Sequence, residues 1–300
     1  MDQFSVYEYA KRHGVSDRAI DLLLRPLTTG IFFLPIEQFS AYVFFGLMKP
    51  AIPRFYKMRI GAFKGGMTDV MVLPIVKAIE AKGGIILTEM KVDGLLMQNG
   101  RVSGVSANGE TIRAKETILA TTLGAAKKLL APYFSSHPAF ASLFTLPTMS
   151  AVTVQIHTDR PLRPYDRTTF APLTCLASFA EQSRTTFRHI PGRLSIILAA
   201  PEQFLSRSSQ EIMEIVCQDA EKIGMSLQTH MTDYRVVSHT EDFHSLAPGH
   251  DHLRPSQQTP ISGLTLAGDY TRQPYFSTME GAVISGERAA AVVARRLQNQ

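Results

Sequence analysis

Hydrophobic positions recur every three or four residues over the first 50 residues, then switch to alternation, and the switch divides the chain. Ser5 with Glu8 three residues later forms a capping box and Gly14 closes the far end, predicting a helix over 6–13. Ser16-Asp17 opens a second helix, whose Ile20, Leu23, Leu24 and Leu27 keep helical spacing. A third, from about Ile36 to Leu47, carries Phe39, Tyr42, Phe44 and Phe45. That aromatic stripe is read either as core packing or as the wall of a ligand cavity. A glycine turn (Gly61, Gly65, Gly66) leads into a helix with an apolar Val70, Val72, Ile75, Ile79 face, stopped by Gly83-Gly84. Asn99-Gly100 and Asn108-Gly109 sit between β-rich runs and predict a three-stranded meander over 91–113. "ETILAT" reads as a buried strand and 123–130 as a helix. Beyond it "SAVTVQIHT", "RLSIILAA" and "DYRVVSHT" read as strands, with a helix capped by Ser208 and Glu211 running to Gly224. The stretch "HSLAPGHDHLRPSQQTPISG" has no period and reads as a polar loop.

With 300 residues and 45% hydrophobic content, the chain can fill one large domain or two ordinary ones. The net charge of +5 is spread along the chain without a basic block or a recognised module, so nucleic acid is not an expected partner. Cys175 and Cys217 stand apart, which excludes a disulfide framework and a cysteine zinc site. His244, His250 and His252 lie near Asp251 without the helical pairing of a metal site, so no metal is expected. The opening "MDQFSVYEYAKRHG" lacks a basic start followed by an apolar run, and the expected location is cytoplasmic. "GIFFLPIEQFSAYVFFGLMKPAIP" is broken by Pro35, Glu37, Gln38 and Lys49, so it is too polar to span a bilayer.

The candidate chemistry lies in "LAGDYTRQPYFSTMEGAVISGERAA", residues 266–290. An apolar strand delivers Gly268, where backbone can approach a ligand, and Asp269, which can accept hydrogen bonds from hydroxyls. Thr278 is placed to cap a helix whose first-turn N–H groups favour negative charge. Gly281, Ala282, Ser285, Gly286, Ala289 and Ala290 give that helix a thin face for close packing. Spacing alone leaves an ordinary strand-loop-helix equally open. No G-x-S-x-G elbow points to a hydrolase, and Asp17, Glu37 and Asp69 read as capping or helix-face residues.

"LAGDYT" followed by "STMEGAVISGERAA" resembles the C-terminal signature of the flavin-containing amine oxidase and carotenoid (phytoene) desaturase-like family of FAD-dependent oxidoreductases. "GGM" with its helix, "GG" and Val92 before the meander, and "LRPSQQTPISGLTLAGD" follow in the family's order, so the resemblance covers most of the chain. It implies a mixed α/β fold (α+β in parts), the C-terminal two-thirds of a two-domain enzyme. Residues 61–127 and 259–300 would belong to a partial FAD-binding domain, and 1–60 and 128–258 to a substrate domain. It further implies FAD as cofactor, with Gly268 and Asp269 at its ribityl and pyrophosphate part. Thr278 would open the helix whose Met279, Glu280 and Gly281 lie against the isoalloxazine ring; the Val92 backbone would meet the adenine, and Gly65 and Gly66 would turn near the flavin.

The family begins with a strand, a G-x-G-x-x-G turn and a helix, and these 300 residues contain no such unit: "GAFKGG" has other spacing and no apolar strand before it. The N-terminal dinucleotide-binding unit is therefore expected to be missing or to come from a complementary chain. The expected activity is hydrogen removal from an apolar, isoprenoid-like substrate, walled by Phe32, Phe33, Phe39, Tyr42, Phe44 and Phe45. Peripheral membrane contact is expected through 30–56, with Lys49, Arg54, Lys57 and Arg59 nearby. The alternatives are a non-catalytic subunit that pairs with a separate FAD-binding chain, and an amine oxidase acting on a polar amine.

Overall fold

Ser5 and Ser40, bridged to each other across the sequence, fix the entry to the fold. In the computed structural model, which describes residues 1–32, 34–49, 56, 61 and 63–299, Ser5 caps α1 (Val6–Arg12) with the full reciprocal box to Glu8. Ser16 caps α2 (Asp17–Ala19), and the chain continues through a π-type turn at Ile20–Leu24 into α3 (Arg25–Phe32). That wider turn overrides the predicted spacing: Ile20 is buried, while Leu23 faces solvent beside Leu22. The third helix, α4 (Ala41–Met48), starts five residues later than expected, because Ser40 Oγ accepts the Val43 N–H and residues 36–39 turn instead. Phe33, Arg54, Lys57 and Arg59, and with them residues 50–55 of the expected membrane-facing stretch, lie outside the described residues.

A second π-type turn at Thr68–Val72 precedes α5 (Leu73–Glu80). The apolar row predicted to pack is instead exposed at Val72, Ile75 and Ile79, joined by Leu73 and, after the helix, by Ile85 and Leu87. The meander follows as predicted: β1 (Val92–Gln98), β2 (Arg101–Ala107) and β3 (Glu110–Arg113) pair antiparallel, with Gln98 opposite Arg101 and Ala107 opposite Glu110. Both Asn-Gly pairs take positive φ, 50° and 72° at Asn99-Gly100 and 49° and 80° at Asn108-Gly109, the twist-matched hairpin turn.

"ETILAT" forms β4 (Thr117–Leu119), and α6 (Leu123–Phe134) extends four residues beyond the predicted end. After α7 (Ala141–Thr145), β5 (Thr148–Thr158), β6 (Thr168–Phe170), β7 (Leu176–Glu181), β8 (Gly192–Leu198) and the long β9 (Met231–His244) build an antiparallel sheet in the order β6-β7-β8-β5-β9. Between β8 and β9, α8 (Ser209–Lys222) packs Ile212, Met213 and Val216 onto Val152, Val154 and Ile156, and α9 (Leu227–His230) turns the chain back. The final strand, β10 (Leu264–Leu266), runs parallel to β4, and α10 (Met279–Gln298) follows.

Three cores result. One lies between the five-stranded sheet and α8. A second joins β1, β2, β4, β10 and α6 around Leu119, Leu264, Leu266 and Tyr270. The third gathers α1, α3 and α4 with Met149, Leu246 and Phe276. The site lies where the second and third meet, because the 266–278 segment contributes Tyr270 to one and Phe276 to the other. Among the described residues no helix is long and apolar enough to cross a membrane.

Candidate functional site: the loop between β10 and α10

β10 is buried at all three residues and delivers Gly268 at φ 143°, a conformation open to glycine. Its N–H donates to Ser285 Oγ on α10 at 3.0 Å, and its carbonyl accepts the Thr271 hydroxyl at 2.8 Å. The thin face of α10 thus lies against the loop through Ser285. Gly281 does the same one turn earlier: a Cβ there would overlap the Phe276 carbonyl and the Gln273 side chain.

Three buried side chains hold the loop's backbone. Arg254, 2% exposed, donates to Asp251 (3.0 Å) and to the carbonyls of Gln273 (3.1 Å), Asp269 (3.2 Å) and Thr271 (2.5 Å). Gln257 donates to Thr271 and to the Arg272 carbonyl. Gln273 donates to the carbonyls of Asp269 and Phe276, and its own oxygen accepts the Tyr275 N–H. This scaffold keeps Phe276 in a left-handed conformation, φ 50°, with its ring against Tyr42. At the end of the loop Thr278 accepts the Gly281 N–H at 3.0 Å and caps α10 as predicted.

Asp269 is the titratable carboxylate of this loop. Its carboxylate is a quarter exposed and accepts the Ser277 hydroxyl at 2.9 Å; burial pushes its pKa up, against the downward pull of that hydrogen bond and of Arg254. His244, 1% exposed, places Nδ1 3.9 Å from Asp269 Oδ2, and neither ring nitrogen has a hydrogen-bond partner. Sequence had put His244 in a polar loop; it ends β9 instead, paired with Thr148. Arg254 and Gln257, from the same aperiodic stretch, were also missed as site residues. Nothing in their spacing marks them, since their partners are carbonyls and one hydroxyl 14 to 19 residues away. Among the described residues no group of three or more His, Cys, Asp and Glu side chains could hold a metal.

Met279 and Glu280 are exposed at the start of α10, next to Asp269's partner Ser277. Gly268, Asp269, Thr278, Met279, Glu280 and Gly281 are therefore brought together. The neighbours of the Gly65–Gly66 turn are Val70, Asp69 and Phe187, and the nearby Phe63 carbonyl accepts the Thr186 hydroxyl. Val92 pairs with Ala107 at the edge of the meander.

Burial, with the nearby Arg254 guanidinium, pushes the His244 pKa down to about 3. The ring stays neutral in the fold, whereas an unfolded histidine takes up a proton near pH 6.5. The unfolded state then binds more protons, and stability falls as pH drops from about 6.5 toward 3, by up to ~1.4 kcal/mol per pH unit. Asp269, with a raised pKa, acts in the opposite sense, and Arg254 keeps its charge throughout. Urea unfolding at pH 7.5 and 5.0 is expected to show the native chain losing about 2 kcal/mol more than a His244→Phe variant, which cannot take up that proton.

The family model for flavin containing amine oxidoreductases matches residues 6–294. The 15-cis-phytoene desaturase of Solanum lycopersicum is 26% identical over 304 residues, covering 97% of this chain and 52% of the tomato protein. That of Synechococcus elongatus is 26% identical over 99% of this chain and 66% of its own. A solved oxidoreductase from Methanosarcina mazei superposes with a TM-score of 0.75 at 19% identity, over 97% of this chain and 68% of that one. The fold is that of the solved flavin-family structures it resembles, and the β10–α10 loop is the segment that carries the family's C-terminal motif. The chain belongs to the flavin containing amine oxidoreductase family, and spans about half the length of the tomato relative.

Proposed function

We propose that this chain is the substrate-facing and flavin-facing part of an FAD-dependent oxidoreductase that removes hydrogens from an apolar, isoprenoid-type substrate. The observation carrying this reading is a cavity of about 190 Å³ walled by Ile31, Phe32, Met149, Phe243 and Leu246 that ends on Ser277 and Thr278. Apolar walls thus meet the helix start that the family turns toward the flavin. The desaturase relatives support the substrate class.

The residues present fit FAD, the cofactor the family implies. A partly buried carboxylate, a capped helix N-terminus, and buried polar atoms without partners on His244, Arg254 and Tyr270 suit a ligand rich in hydroxyl and phosphate oxygens. Gly268 and Asp269 would hold its ribityl and pyrophosphate part, Thr278 to Gly281 its ring, and the Val92 backbone its adenine, with Gly65 and Gly66 turning near the flavin. When bound, the flavin supplies the two-electron oxidation of a C–H bond. The chain's own work is to orient that bond and to exclude water with aromatic and aliphatic walls, which a hydrocarbon needs more than an acid or base. In this reading residues 61–127 and 259–300 form the FAD part and 1–60 and 128–258 the substrate part, with α6 crossing between them.

The pyrophosphate would be cradled by a dinucleotide-binding unit outside these 300 residues. The exposed row Val72, Leu73, Ile75, Ile79, Ile85 and Leu87 gives such a unit an apolar surface to cover. On its own the chain is accordingly expected to bind FAD more weakly than micromolar. At saturating FAD, an acyclic polyene in detergent should bleach the flavin anaerobically, and Ile31→Arg should abolish the response with FAD affinity unchanged. Bleaching by amines and not by the polyene would favour the amine oxidase reading; no uptake of FAD at all would favour a non-catalytic subunit. Peripheral attachment through 30–56 belongs to the same proposal, and vesicle flotation without binding to anionic membranes would remove it.

A further inference from the structure

We propose that His244 is a positioning residue of this site: its imidazole holds the Asp269 carboxylate by Oδ2, so that the carboxylate presents its other oxygen to the hydroxyl groups of the bound cofactor. The inference rests on the FAD reading above and names a residue and a role that the family signature does not contain.

The argument starts from β9. Its backbone is pinned at this end, with His244 in register with Thr148 and the next N–H, that of Ser245, donating to the Pro147 carbonyl. Successive strand residues point to opposite sides. Phe243 lines the apolar cavity, and His244 turns away from it toward Asp269. The ring is 1% exposed and both nitrogens lack partners. A buried donor or acceptor left unpaired costs about 1–3 kcal/mol, so an imidazole that served only to fill space here would be a poor choice beside Phe or Leu.

The charged groups facing it are Asp269, on the loop after β10, and Arg254, on the segment before β10. Arg254 gives its terminal nitrogens to Asp251 and to loop carbonyls and its unpaired Nε can only donate, leaving Asp269 as the charged acceptor to which a ring N–H can turn. The Nδ1 to Oδ2 separation of 3.9 Å exceeds a hydrogen bond by about 1 Å, a gap that a small rotation of the carboxylate closes. Ser277 donates to the same oxygen at 2.9 Å. His244 and Ser277 therefore flank Oδ2 from the end of β9 and from the start of α10, and together they set the plane of the carboxylate.

The test uses the whole chain with FAD as probe, at concentrations into the millimolar range. His244→Phe is expected to weaken FAD binding about tenfold, and His244→Asn, which keeps an N–H near the position of Nδ1, to restore it to within about threefold of the native chain. In ¹⁵N-histidine spectra of the native chain, the His244 signal should shift on adding FAD. Ser277→Ala should weaken binding less in a His244→Phe background than in the native one. Unchanged affinity in His244→Phe, or a His244 signal that FAD does not move, would overturn the positioning role while leaving the FAD reading intact. Absence of FAD binding by the native chain across the whole range would overturn the FAD reading itself. Should His244→Phe fail to fold, the Asn variant and the histidine signal decide the matter.

Discussion

Arg254→Met is expected to destabilise the chain by about 3–5 kcal/mol, a loss measurable as a shift in the urea midpoint at constant slope. The side chain is 2% exposed, and methionine nearly matches its length, so the packing loss is small. What disappears is the guanidinium that serves Asp251 and the carbonyls of Asp269, Thr271 and Gln273. The Thr271 and Gln273 carbonyls lose their donor inside the fold at about 1–3 kcal/mol each, the Asp269 carbonyl keeps the Gln273 amide, and Asp251 loses its ion pair. Burial lowers the Arg254 pKa, so the guanidinium is itself costly to bury; the expected loss is that of breaking a satisfied network, and Lys, with one compact charge in place of a fork, should recover little of it. A midpoint within 1 kcal/mol of the native chain would show that the loop does not depend on this residue.

Gly268→Ala is expected to cost about 2–4 kcal/mol and to lower the yield of folded chain, read from thermal melts by circular dichroism. Two effects act together. The φ of 143° lies where a side chain is strained, and a Cβ would sit 2.5 Å from Tyr270 Cε1 and 2.8 Å from Cδ1. The Tyr270 ring is fully buried in the core of β4, β10 and α6 and cannot swing aside. Ser285→Ala is the control: it removes only the hydroxyl that pairs with the Gly268 N–H and with Thr271, and should cost about 1–2 kcal/mol. Equal losses in the two variants would mean that the glycine requirement comes from the hydrogen bond and not from space.

The elements legible in the sequence are those whose cause is local. Asn99-Gly100 and Asn108-Gly109 needed only their own backbone preferences to set the meander, and Ser5, Ser16, Ser208 and Thr278 needed only the N–H groups two or three residues ahead. The start of α10 was legible for the same reason, and Gly268-Asp269 was singled out through the family signature. Where a wider helical turn intervened, at Ile20–Leu24, the 3.6-residue period misassigned the face and sent Leu23 outward; α5 buries no residue on any face, so its apolar row has nothing among the described residues to pack against. Ser40 competed successfully with the apolar period of 36–39 for the start of α4. The parts that stayed hidden, Arg254, Gln257 and the buried His244, act on groups far along the chain or across the fold, and a linear pattern records neither.

The parallel pairing of Leu264 with Thr117 has a consequence for how the site comes into being. These strands are separated by about 150 residues, a closure costing about 4 kcal/mol or more of chain entropy before three rungs of ladder return it. The meander and the α1 capping box can form from neighbours within microseconds, but the loop between β10 and α10 waits for this distant docking. Folding should therefore be slow in its last phase, with tyrosine burial at Tyr270 lagging behind the gain of helix, so that a newly made chain passes through a stage in which nearly everything is in place except the part that would meet the cofactor.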